Sequence, residues 1–451
     1  MSREKLVVVG GVAAGMSAAS RARRRNPELD ITVLEKGRHV SYGACGLPHY
    51  LSGEVRDAND LVVYTPQYFR EKRNIDVRLE HEATTIEPGR KVIQTKAPGA
   101  RTIEIPYDKL AVATGGTPTS KIPGADLPGV FTSSDLDGAI RLRAFLEEKR
   151  SSRAAVVGSG YIGLEMAAAF SQRGIAVTIL TRSPELLNGF EPEISKRLEA
   201  VLQAHGVVLK MNALVTEISL SPSGELCAHH AGGIEMAGVM LLATGITPNT
   251  ALAESAGVSV GTTGAIIVDD RMQTNVNGIY AAGDCVEARH LVSGRPVYFP
   301  LGTTANKQGR VAGENAAGGN ERFDGIVGTL ATKVFELELA RAGLSLAEAH
   351  AAGFHADAVT IHTISRAAYL GGRPLIAALV WDKDGGRLLG FQVAGEEGAA
   401  KRIDAAAVAL HARMRVQDML HLDLCYAPPF ATVWEALLIA AGEAVRKSHR
   451  R

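Results

Sequence analysis

Unbroken apolar runs, not alternating ones, dominate the first two thirds of the chain. "KLVVVGG" at residues 5–11 and "RAAVVGSG" at residues 153–160 each carry apolar residues straight into glycine. Runs without polar alternation suit strands buried on both faces of a parallel sheet. Each is followed by a helical stretch and a further apolar run, "DITVLEKG" at 30–37 and "IAVTILTRS" at 175–183. Strand, glycine turn, helix, strand is the grammar of a dinucleotide-binding unit. Here it occurs twice, with Gly10 and Gly158 in matching places. A second echo pairs "LAVATGGTP" at 110–118 with "LLATGITPN" at 241–249. Duplication of one unit explains both echoes, and a simple repeat array does not.

The order of the pieces predicts nesting. The first unit runs to about residue 117 and the second covers 118–245. "NGIYAAGDC" then returns a strand to the first. The expected fold is α/β, with two nested Rossmann-like dinucleotide-binding domains, 1–117 with 246–325 and 118–245. From residue 326 alternation takes over. "ADAVTIHTIS" and "LIAALVWD" read as antiparallel strands, and "AAKRIDAAAVALHARM" reads as a helix with a one-sided apolar stripe. Residues 326–451 are expected to form a C-terminal α+β dimerisation domain.

Composition narrows the function classes. A chain of 451 residues, 46% hydrophobic and 22% charged, is an ordinary globular protein of two or three domains. A net charge of +1 argues against broad binding to nucleic acid or an anionic membrane. No apolar run approaches the ~20 residues of a membrane span, and the N-terminus lacks a signal-peptide core. The four cysteines, Cys45, Cys227, Cys285 and Cys425, do not form a secreted disulfide framework, and the histidines show no metal spacing. A cytoplasmic protein without a metal is expected. Glycine is the unusual count, at 48, and it clusters at the ends of apolar runs.

Those glycines direct attention to phosphate-binding turns, in which the backbone approaches a pyrophosphate at a helix N-terminus. Gly158, Gly160 and Gly163 stand in full G-x-G-x-x-G register. In the first turn Gly10 and Gly15 remain, but Val12 takes the middle place. Glu35 ends the following strand, where an acid would bind a ribose hydroxyl. The second unit has Thr181-Arg182 there. A neutral residue followed by arginine suits a 2′-phosphate, so NADPH is favoured over NADH. Two nucleotide sites imply FAD at the first and NAD(P)H at the second. Asp284, after Gly283, is expected to hydrogen-bond the flavin's ribityl chain.

Together, "GGVAAG…E", "ATGG", "GSGYIGLE", "ATG" and "NGIYAAGDC" resemble the FAD-dependent pyridine nucleotide-disulfide oxidoreductases over essentially the whole chain. The resemblance adds Ala113, Thr114, Gly115 and Gly245 to the cofactor set and places Glu165 beside the nicotinamide. Cys45 lacks the C-x-x-C or C-x₄-C partner of the dithiol branches. It therefore resembles the single-cysteine branch of CoA-disulfide reductases, CoA-persulfide reductases, NADH oxidases and NADH peroxidases. Ala13 stands where peroxide-handling members carry histidine. "CYAPPFATVW" is similar to a CoA-disulfide reductase signature in which the tyrosine, here Tyr426, reaches the other subunit's cysteine. The resemblance implies a homodimer with shared active sites. It implies substrate contacts at Ser17, Arg21, Arg24, Ser41, Arg73, Asn306, Tyr369, Lys401 and Arg402. Departures are Ala44 for asparagine, Trp434 for lysine, and Leu370 in place of a second tyrosine. No rhodanese domain is expected after Arg451.

Cys45 has its own chemical reading. It precedes a helix start, with Pro48 early in the helix. Backbone N–H groups and the helix dipole would lower its pKa and favour the thiolate that attacks disulfides. A substrate that brings its own second sulfur makes a second cysteine unnecessary. The expected activity is NAD(P)H-dependent reduction of CoA disulfide or CoA persulfide through FAD and Cys45, with Tyr426 serving the leaving thiolate. Polysulfide reduction, an NADH oxidase working through Cys45 sulfenic acid, and a protein-docking electron-transfer flavoprotein are the alternatives. Cys227, in a polar turn, and Cys285 are expected to be structural.

Overall fold

A computed structural model describes residues 3–119, 121–132 and 135–449. Its first sheet has five parallel strands, in the order Ile279–Ala281, Lys109–Val112, Lys5–Val9, Asp30–Leu34 and Asp76–Arg78. Its second repeats the plan, in the order Val208–Lys210, Ala176–Leu180, Arg153–Val157, Val239–Leu242 and Val130–Thr132. Both central strands are almost wholly buried, which is why their sequences lack alternation. The late strand Ile279–Ala281 lies beside Lys109–Val112, so the chain leaves the first sheet, builds the second and comes back. The mixed α/β architecture matches the expected fold class.

Each unit carries a three-stranded antiparallel sheet that the apolar pattern did not disclose. One comprises Glu82–Glu87, Val92–Ala97 and Arg101–Pro106, and the other Val215–Leu220, Leu226–His230 and Gly233–Ala237. Cys227 is a correction. It sits buried inside the strand Leu226–His230, because the polar turn ends one position before that strand begins.

The two linkers between the units form a two-stranded ribbon, Gly116–Pro118 against Ile246–Pro248. The third sheet is antiparallel, in the order Leu330–Val334, Leu337–Gly343, Leu388–Gly395, Pro374–Asp382 and Ala356–Ile364. The helices Ala399–His411 and Ala436–His449 share its core around Trp381 and Phe391. The second unit also shares a core with this domain, joining Phe170 and Leu198 to Leu337, Leu339 and Ala394. No described helix is long and apolar enough to cross a membrane.

One crossing of helices positions the first site. Helix Ala13–Arg25 lies directly on helix Gly302–Ala316. A Cβ on Gly309 would stand 2.2 Å from the Ala14 carbonyl oxygen, and one on Gly313 would stand 2.1 Å from that of Ala18. Only glycine lets the two backbones touch. Gly313→Val is therefore expected to cost about 3 kcal/mol or more through overpacking, with a lowered Tm and loss of bound FAD. Gly89 has a right-handed or extended φ and no atom within 4 Å of an added Cβ, so Gly89→Ala should keep the wild-type Tm. Thermal unfolding of both variants, with flavin content, tests the crossing; equal Tm values would refute it.

Candidate active site

The two glycine turns have the same construction. In the first, Gly10 N–H donates to Leu34 O at 2.8 Å and Ala113 N–H to Val9 O at 2.8 Å. In the second, Gly158 N–H donates to Leu180 O and Ala243 N–H to Val157 O, again at 2.8 Å. Gly10 has φ +107° and Gly158 φ +115°, a region that favours glycine. A Cβ on Gly15 would lie 1.8 Å from Gly10 O, and one on Gly163 2.4 Å from Gly158 O. Gly160 differs: no protein atom lies within 4 Å of its missing Cβ. That open approach at a helix N-terminus is what a pyrophosphate needs.

Glu35 is buried and uses both oxygens on the backbone. Gly11 N–H donates to Oε2 at 2.7 Å and Gly37 N–H to Oε1 at 2.6 Å. Gly283 N–H is held by Gln308 Oε1 at 2.9 Å, with its missing Cβ 2.7 Å from that of Ala14. Asp284 follows, and burial pushes its carboxyl up. Among the described residues none hydrogen-bonds its side chain. A half-buried, unpartnered carboxylate beside a glycine turn fits a hydroxyl-bearing chain such as that of FAD. The residues of the "ATG" echoes staple the linkers. Thr114 Oγ1 donates to Asn249 O at 2.6 Å, Asn249 N–H to Gly115 O at 2.9 Å, and Thr119 N–H to Gly245 O at 3.2 Å. In the second unit Ser159 Oγ donates to Thr181 Oγ1 at 2.9 Å. Arg182 is exposed and makes no ion pair among the described residues.

Cys45 lies in the 3₁₀ turn Ala44–Gly46, which runs into the short helix Leu47–Ser52. Ser41, at φ +50°, starts the approach; its N–H donates to Gly11 O at 2.9 Å and ties the loop to the first glycine turn. The Cys45 side chain opens to solvent. Its acidity corrects the helix-start expectation. Burial, then the charges of Glu165 and Asp284, push the thiol up. The helix has only six residues, and Cys45 stands before it, so its dipole is small against two carboxylates. Burial also pushes the Glu165 carboxyl up, opposed by a 2.6 Å hydrogen bond from Thr332 Oγ1 in the third domain.

Tyr161, Tyr298 and His49 escaped the sequence reading. Burial pushes the Tyr161 phenol up to about 12, with Asp284, Cys45 and Glu165 adding to the rise. Tyr298 OH donates to Asp284 O at 2.9 Å. Tyr161 stood inside the quoted glycine motif, and His49 stands four residues after Cys45; those spacings were the available signals.

The residues expected at the substrate fall into two groups. Ser17, Arg21 and Arg24 share one face of helix Ala13–Arg25. Ser17 Oγ donates to Asn306 Oδ1 at 2.6 Å. Arg21 pairs with Glu314 at 2.8 Å and Glu321 at 3.5 Å. Burial, then the charges of Arg73, Arg21 and Arg310, lower Arg24, so four cations crowd one place. Arg73 lies 5.8 Å from the Tyr68 ring centroid, and Tyr64 stacks on Tyr68 at 4.4 Å. The second group lies on the third domain. Tyr369 is 78% and Tyr426 46% exposed, and Lys401 pairs with Asp404 at 2.6 Å. Arg402 pairs with Glu435 at 2.7 Å and donates to Gly398 O and Ser365 O, so it braces its own domain. No described contact joins Tyr426 to Cys45 within the chain.

Comparison with known proteins places this geometry. The family model described as pyridine nucleotide-disulphide oxidoreductase matches residues 4–309, and its dimerisation domain matches 329–437. An NAD(P)H sulfur oxidoreductase (CoA-dependent) of Pyrococcus abyssi is 39% identical, over 97% of this chain and 98% of its own. The structure of an NAD-dependent persulfide reductase from A. fulgidus superposes with TM-score 0.96 at 37% identity, over 99% of this chain and 84% of that one. An engineered water-forming NADPH oxidase from Lactobacillus brevis superposes with TM-score 0.94 at 27% identity, over 99% of each chain. With both models together spanning most of its length, the chain belongs to the pyridine nucleotide-disulphide oxidoreductases, enzymes that use FAD and NAD(P)H.

Proposed function

We propose that the protein reduces CoA disulfide or CoA persulfide with NAD(P)H, using Cys45 as its single redox sulfur. The carrying observation is one solvent-reaching thiol within electrostatic reach of Glu165, Asp284 and Tyr161. The other described cysteines do not compete for this role: Cys227 and Cys285 are buried, and Cys425 lies on the third domain. FAD, held at the first turn by groups such as Glu35 and Asp284, would supply the two-electron relay from NAD(P)H. The chain supplies the rest. Cys45 thiolate attacks one sulfur of the substrate, forming a Cys45–S–CoA bond and releasing the other sulfur as a thiol once protonated. The cations Arg24, Arg73 and Arg310, with Tyr64 stacked on Tyr68, suit the phosphates and adenine of CoA. The names of the relatives, CoA-dependent sulfur oxidoreductase and persulfide reductase, agree with that substrate class.

A second copy completes the site. Tyr426, Phe430, Val433 and Trp434 form an exposed apolar run on the dimerisation domain. Such a run on a dimerisation domain suits burial against a partner, bringing Tyr426 to the partner's cysteine. The free thiols fit a reducing, cytoplasmic setting. At the second turn, NADPH is the preferred donor. The engineered NADPH oxidase carries successive changes of aspartate to alanine, alanine to arginine and methionine to serine. Thr181-Arg182-Ser183 has that same neutral, arginine, serine order.

Three outcomes test these statements. Unreduced protein should show a CoA-mass adduct on the Cys45 peptide, and Cys45→Ser should abolish disulfide reduction; sulfenic acid as the sole modification would establish the oxidase instead. Because Glu165 and Asp284 raise the Cys45 thiol, Glu165→Gln and Asp284→Asn each remove an anion and stabilise the thiolate. The midpoint of Cys45 alkylation against pH should therefore move down in both, and an unmoved midpoint contradicts the electrostatic account. Arg182→Ala should raise KM for NADPH about tenfold, the scale of one charge-assisted contact, with KM for NADH unchanged in steady-state assays.

A further inference from the structure

We propose that His49, oriented by Glu54, is the proton donor to the sulfur that leaves when Cys45 attacks its substrate. The inference rests on the disulfide-reductase reading above and gives the leaving sulfur a proton donor from the same chain as Cys45, where that reading had drawn Tyr426 from a second copy. Gly46 (φ −83°, ψ −8°) and Leu47 (φ −60°, ψ −41°) are both right-handed helical. The turn of Cys45 and the helix of His49 are thus one continuous helical path. Residues four apart on such a path lie one above the other on the same face. His49 therefore follows Cys45 by about one helical turn of this path. It is also close enough to Glu165, which crowds Cys45, for its charge to act on that carboxyl.

The imidazole is held as an acid–base group should be. His49 Nδ1 is bonded to Glu54 Oε2 at 2.5 Å, which leaves Nε2 as the nitrogen that exchanges protons. The backbone builds that pair. Gly53 ends the helix at φ +96°, and the His49 carbonyl accepts from Gly53 N–H, Val55 N–H and Ser52 Oγ. The left-handed turn brings Glu54 back over the ring. The platform is anchored from two neighbouring helices. Arg143 Nη1 donates to Tyr50 O, Val55 O and Arg56 O, and Arg173 Nη1 donates to Leu51 O. Both His49 and Glu54 side chains are about 60% exposed, so neither is needed to fill the core.

The chemistry balances. Cys45 thiolate, CoA disulfide and the proton on His49 give the Cys45–S–CoA disulfide, one CoA thiol and neutral His49, which regains its proton from water. The Cys45–S–CoA bond is then cleaved by the two electrons and proton of the hydride from NAD(P)H, releasing the second thiol. With CoA persulfide the first departing group is hydrosulfide. An alkyl thiolate is a poor leaving group and gains from a donor, whereas an acidic aromatic thiol leaves as the anion without one.

That difference supplies the test. FAD-loaded, pre-reduced enzyme is mixed, without NAD(P)H, with either CoA disulfide or the mixed disulfide of CoA and thionitrobenzoate. Formation of the Cys45–CoA adduct is followed by mass, and thionitrobenzoate release by its colour. His49→Gln should slow adduct formation from CoA disulfide about a hundredfold, in the range of one general acid, and from the aromatic disulfide by less than about threefold. Glu54→Gln should show the same discrimination with a smaller factor, as a positioning residue. Equal slowing on both substrates, or none on either, overturns the assignment. If wild-type enzyme forms no adduct with CoA disulfide yet is reduced normally by NADPH, the disulfide-reductase reading itself fails and this one falls with it.

Discussion

Everything in the active site depends on backbone meeting backbone at the ends of two parallel sheets. At Gly10 and Gly15, and again at Gly158 and Gly163, a helix begins so close to a strand that a single methyl group would collide with a carbonyl oxygen. The helix N-termini are thereby held at the strand ends, where their free N–H groups face whatever binds there. The Gly309 and Gly313 crossing repeats the constraint between helices. It carries the loop of Gly283 and Asp284 onto the same first turn.

The Cys45 thiol sits in surroundings that oppose its ionisation. Burial, and then two partly buried carboxylates, oppose its thiolate form. The same carboxylates are themselves pushed toward the neutral form by burial. Glu165 and Asp284 both act on the Cys45 thiol, while burial comes first in the rise of each of the three groups. A cation near this group would tip the balance, and His49 is the histidine whose charge reaches Glu165.

The domains keep these parts in register through polar contacts between units. Thr114 and Asn249 staple the linkers. Arg341 and Gln392 of the third domain both donate to Gly189 O, while Gln392 accepts from Glu191 N–H. Thr332 reaches from the third domain to Glu165. The second α/β unit is thus seated on the domain that also presents Tyr426.

The fold class was legible because burial on both faces erases alternation, and because glycines spaced this way at a strand end mark a helix backbone held against its strand. The antiparallel sheets at 82–106 and 215–237 were not, because their strands are part exposed and mixed in composition. In the site, the lone cysteine and the acids Glu165 and Asp284 could be read as parts, but not as a field acting on one thiol. The bracing role of Arg402 was equally hidden, since one basic residue reads like another until its neighbours are known. What the sequence determined alone is local: strand, turn, helix and the residue types each turn tolerates, since these follow from backbone sterics over a few positions. What only the tertiary structure decided is the sign of the Cys45 perturbation and the folding of Glu54 onto His49. Electrostatics and desolvation depend on distances through space that the order of residues does not contain.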